Sequence, residues 1–138
     1  MATGTAGSSA RQYSTQQVHY LRKAVAYNTS NIGTADSVLI GTLPNGAQIV
    51  DAVVNVTTAF NAGTTNVLTA GTSSGSNADV ISASDVTEGS TGANRATTGI
   101  ALSFSADTPI YAKYTQSGTA ATTGAAVICI MYVANNDG

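Results

Sequence analysis

GTLPNGAQIVDAVVNVTTAFNAGTTNVLTAGT, Gly41 to Thr72, holds the end of one strand, a turn, a long strand and a hairpin. Leu43-Pro44-Asn45-Gly46 reads as the turn, because proline fixes φ at its second position and Asn-Gly tolerates the positive φ that follows. In Ala47 to Phe60 the residues Val50, Ala52, Val54, Val56 and Phe60 are apolar, and Asp51, Asn55 and Thr57 fall between them. A period near two puts these sets on opposite faces, so the spacing predicts a half-buried strand. Asn61-Ala62-Gly63 is the next turn, and Asn66 to Gly71 a short strand through Val67 and Leu68.

The same grammar extends outward. Upstream, Val18 to Tyr27 places Leu21, Val25 and Tyr27 on one face with Arg22 and Ala24 opposite, and Ser37 to Leu43 is a short strand. Downstream, Thr72 to Ala78 is a Gly/Ser-rich loop. Residues 79 to 95 lack a period and read as a surface excursion, with one helical turn over Ser82 to Glu88. Ala96 to Ser105 resumes alternation through Ile100, Leu102 and Phe104, and Pro109 to Gln116 continues it. Thr123 to Ala134 is the most apolar strand: Val127, Cys129, Met131 and Val133 share one face, and Ile128, Ile130 and Tyr132 the other. Both faces need cover. About seven to eight short strands with no long amphipathic helix predict an all-β single domain, a jelly roll or β-sandwich over residues 17–138. Residues 1–16 are Gly, Ser, Thr, Ala and Gln with almost nothing to bury, and are expected to form a flexible N-terminal arm.

Composition narrows the function. Only 9% of residues are Asp, Glu, Lys or Arg, where about a quarter is usual for a soluble domain. Weak charge removes the repulsion that keeps free monomers apart, so much of the surface is expected to be covered by partners, with a homodimer, or alternatively a trimer, as the free form. A net charge of −2 offers no basic face for a phosphate backbone, so nucleic acid is not an expected partner. The apolar run Ala125 to Ala134 is half the roughly 20 residues of a membrane helix, so no membrane partner is expected either. The N-terminus lacks the parts of a secretory signal, which points to synthesis in a cytoplasm. Cys129, the single cysteine, lies between Ile128 and Ile130 and reads as a small buried hydrophobe.

No constellation for catalysis emerges. The sole histidine, His19, lies beside the arm at an exposed-looking strand start and reads as a surface residue rather than a catalytic base, and one His with one Cys cannot make a zinc site locally. Asp79, Asp85 and Glu88 form an acidic cluster without calcium-loop spacing. As a sugar-cleaving pair they lack an aromatic platform, since the chain has no Trp. Asn28-Thr29-Ser30 and Asn55-Val56-Thr57 match the glycosylation pattern, which means nothing without secretion. The expectation is no catalytic, cofactor or metal residues, and no enzyme.

Gly41 to Thr72, with His19 to Asn28 before it, resembles a pattern in the small jelly-roll cement and decoration proteins of tailed bacteriophages, a Bordetella phage's among them. The resemblance implies a dimeric jelly roll on the capsid exterior of the virion, bridging neighbouring major capsid protein subunits and stabilising the shell. Arg11, His19, Arg22 and Lys23, the basic residues around the root of the arm, are the capsid-contact candidates. Val127, Ile128, Ile130 and Tyr132 are the core or oligomer-contact candidates. The runner-up is a phage tail or fibre module binding a receptor sugar, for which the scattered tyrosines Tyr13, Tyr20, Tyr27, Tyr111, Tyr114 and Tyr132 are the only sign.

Overall fold

The computed structural model describes residues 18–30, 32–33, 36–74 and 78–134. The expected arm, and Arg11 with it, lie outside the described residues. Among the described residues the strands are β1 (Val18–Ala26), β2 (Val38–Leu43), β3 (Gln48–Thr58), β4 (Thr65–Gly71), β5 (Gly92–Arg95), β6 (Thr108–Ser117) and β7 (Ala125–Val133), with one 3₁₀ turn at Ala83–Asp85. They form two antiparallel sheets, ordered β1-β7-β3-β5 and β2-β6-β4. On the outer edge of β4, Ile81 makes an isolated bridge to Ala70. The order is that of a jelly roll in which the strand beyond β4 has shrunk to this bridge.

The inner faces of the two sheets meet in one core. Val25, Ile49, Val54, Val56, Ile128 and Ile130 come from the larger sheet, and Leu43, Leu68, Ile110 and Tyr114 from the smaller. Each fully buried aliphatic side chain contributes about 1.5–3 kcal/mol, so the alternation along β3, β6 and β7 is what holds the layers together. At Gly41 a Cβ would come within 2.8 Å of the Leu21 side chain, so the sheets close tightly between β1 and β2.

The structure corrects the sequence reading in several places. Val50 does not share a face with Ala52; it stands 38% exposed, and Ile49 is fully buried in its stead. The cause is a bulge, since Ile49 pairs with Tyr132 and Asp51 with Met131, leaving Val50 extra. Ala96 to Ser105 is not a strand. The N–H of Ala96 still donates to Ala52, but the chain then turns through Gly99 and Ala101, whose φ is +73°. It rejoins β3 where Ile49 donates to Leu102 and Phe104 to Ala47. This detour lies opposite the β3 bulge, so one irregularity accommodates the other. Pairing moves instead to Gly92–Arg95, inside the expected excursion. Finally, Cys129 is not buried; it is half-buried on the outer face of β7, directly opposite Arg22.

Candidate functional site

The outer face of the larger sheet is the part of the described surface least suited to water. Its centre is β7, where Val127, Cys129, Met131 and Val133 point outward and are half-buried between neighbouring strands. Paired residues in an antiparallel sheet share a face. β1 therefore adds Val18, Tyr20, Arg22 and Ala24 to this surface, and β3 adds Asp51, Val53 and Asn55. Tyr20 is 65% exposed and Val18 54%, high values for large apolar side chains, and across β7 the bulge leaves Val50 of β3 38% exposed. Two charged residues share this face: Asp51 on β3, whose Oδ1 accepts from Arg95 Nε at 3.0 Å, and Arg22, exposed on the edge strand β1. The outer face of the smaller sheet is different, with Thr65, Val67, Thr69, Lys113, Thr115 and Ser117 along its β4–β6 pair.

The residues expected to form contacts are sorted by this geometry rather than gathered. His19 stacks on Tyr132 with ring centroids 5.7 Å apart, at the rim of the core. Arg22 belongs to the outer face, whereas Lys23 pairs with the core residue Ile128 and so lies on the inner side of the edge strand, half-buried. Ile128 and Ile130 are fully buried core, and Val127 is outward. Sequence reasoning missed Val18, Tyr20, Val50 and Val53 as members of an apolar surface. The signal was present for Val18 and Tyr20, which alternate with Leu21 and Val25, but which side faces the core is known only once β7 is paired.

The acidic cluster has a structural use. Asp79 accepts from the Thr72 N–H at 2.9 Å and from its hydroxyl at 2.6 Å. Asp85 accepts from the N–H groups of Ser82 and Thr97. Burial opposes its charge, but the hydroxyls of Thr98 and Ser82 and these N–H groups bring its pKa down from 3.8 to about 2. Glu88 is buried, and its Oε1 accepts from the Leu68 N–H at 2.8 Å. Burial pushes the Glu88 carboxyl above its ordinary value, against the pull of that hydrogen bond. Nearby, the Tyr114 hydroxyl donates to Asn66 Oδ1 at 2.6 Å, and burial first, then the Glu88 charge, raises its pKa. Glu88 thus ties the excursion to β4, Asp79 ties it to Thr72 just after that strand, and Asp85 holds Ser82 to Thr97. Among the described residues no group of His, Cys, Asp and Glu is arranged to hold a metal ion, and no helix is long and apolar enough to cross a membrane.

No protein-family model matches the chain, and no curated protein matches it. Solved structures do. A chain in the capsid asymmetric unit of cyanophage Pam1 is 25% identical, with a TM-score of 0.67 over 86% of this chain and 86% of that one. A chain in the acid-stable capsid of Helicobacter pylori bacteriophage KHP30 shares the fold at 12% identity, with a TM-score of 0.62 over 86% of this chain and 89% of that one.

Proposed function

We propose that this chain is a structural, non-enzymatic protein of a tailed-phage virion: a capsid cement protein that binds the outside of the head and bridges neighbouring major capsid protein subunits. The observation that carries this reading is the likeness of fold and sequence to a chain of the Pam1 capsid, over nearly the whole described sandwich. Low charge and an apolar outer sheet face support it, because such a surface is stable when another protein covers it. The working form is a homodimer, whose two copies each engage one subunit. Tying both subunits to one clamp raises their effective concentration, so modest contacts suffice. Binding the assembled shell but not its dissociated subunits then stabilises it by mass action.

The test is to add purified protein to bare heads of the parent phage, pellet the particles, and score occupancy and survival on heating. Saturable binding at a fixed copy number, with a higher rupture temperature, is expected. Protein that stays in the supernatant at every concentration overturns the proposal. Sedimentation of the free protein at micromolar concentration tests the dimer separately.

A further inference from the structure

Resting on the capsid reading, we infer that the protein docks through the outer face of the β1-β7-β3-β5 sheet, and that the shell surface it meets is apolar at its centre with a carboxylate placed to receive Arg22. The apolar part of the argument is the continuity of Tyr20 and Val18, both more than half exposed, with Met131 and Val133 on the neighbouring strand. Tyrosine supplies large contact area at little entropic cost, which suits it to the centre of an interface. On the smaller sheet Leu39 is also exposed, at 48%, and pairs with the half-buried Tyr111, but Thr42 on one side and Lys113 with Thr69 on the other end that patch after two residues.

Charge decides between occupants. The only acid among the described residues of this face, Asp51, already accepts from Arg95 and from the Ala52 N–H. No other acid among the described residues of this face stands ready for Arg22, which is exposed on β1. A second copy meeting this face with its own brings another Arg22 and no free carboxylate, whereas an acidic rim on a different protein complements it. A dimer formed elsewhere on the molecule presents two such faces and grips the shell at two points.

The experiment compares wild type, Tyr20→Ser with Met131→Ser, Arg22→Glu, and Leu39→Ser as the opposite-face control, all on bare heads. Both larger-sheet variants are expected to bind about tenfold or more weakly, with Leu39→Ser unchanged. Cys129 supplies an independent footprint: maleimide should label it in free protein and react about tenfold more slowly on the particle, because the face is covered there. Arg22→Glu alters one solvent-exposed side chain and keeps the test interpretable if the double variant unfolds. Wild-type binding with full occupancy by Arg22→Glu and unprotected Cys129 overturns the inference. So does a smaller sedimenting species for the larger-sheet variants, which assigns the face to a second copy. Wild type that fails to bind heads at all refutes the capsid reading itself, before any variant is compared.

Discussion

At the scale of single residues, the carboxylates explain how a chain with so little charge uses what it has. Asp51, Asp79, Asp85, Glu88 and Asp107 each accept a backbone N–H, from Ala52, Thr72, Ser82, Leu68 and Asn45 respectively. They act as internal caps on turns and on the excursion more than as solvating charge. Glu88 is the most buried of them, and its raised pKa makes a signed prediction. A group easier to protonate when folded stabilises fully below its ordinary value, here 4.5, and loses that contribution as pH rises through the raised one. Glu88→Gln keeps an acceptor for Leu68 but cannot ionise, so the variant should gain stability relative to wild type as pH rises above the ordinary value of 4.5 in urea titrations. Parallel profiles exclude this account. Asp85 has the opposite sign: its contribution is present above 3.8 and is lost as pH falls toward about 2. Asp85→Asn should cost about 1–2 kcal/mol near neutrality, and the deficit should shrink in acid. The cluster itself was visible in the sequence as Asp79, Asp85 and Glu88. Its use was not, because β4, which supplies the Leu68 N–H, reaches Glu88 only in the folded chain.

At the scale of elements, β7 shows how far alternation can be trusted. Its two faces were legible as Val127-Cys129-Met131 against Ile128-Ile130, and the structure puts the second set in the core. Ile128→Ala should therefore cost about 2–5 kcal/mol and Val127→Ala under about 1, a contrast that denaturant midpoints measure directly. Gly124, just before β7, has φ +146°, and a Cβ there would collide with the Phe60 ring. Gly124→Ala should destabilise by about 2–4 kcal/mol, through strained backbone and displacement of a ring that packs on Tyr114. Periodicity failed where the ladder is irregular. Val50 and the stretch from Ala96 to Ser105 were misread for one shared reason: a bulge in β3 and the detour opposite it are properties of a pair of segments, and neither segment announces them alone.

At the scale of the whole molecule, deletion of residues 2–15 touches no described strand. The truncated protein should melt at the temperature of the full chain, while binding bare heads less well if that segment adds contacts to a neighbour. Equal occupancy and equal particle survival on heating would assign all binding to the sandwich. By itself the sequence determined the class: short alternating strands, turn residues between them, one apolar last strand and too little charge for a freely solvated surface. Those follow from local chemistry, since a period of two and a Pro-Asn-Gly turn act within a few residues. Only the tertiary structure decided which face of β1 and β7 looks inward, that Cys129 sits at the surface, and that Tyr20, Met131 and Arg22 share one patch. Strand alternation defines two faces without naming the buried one. Burial is assigned when a second sheet covers one side, and that partner sheet is drawn from β2, β4 and β6, which alternate with the strands of the first along the chain.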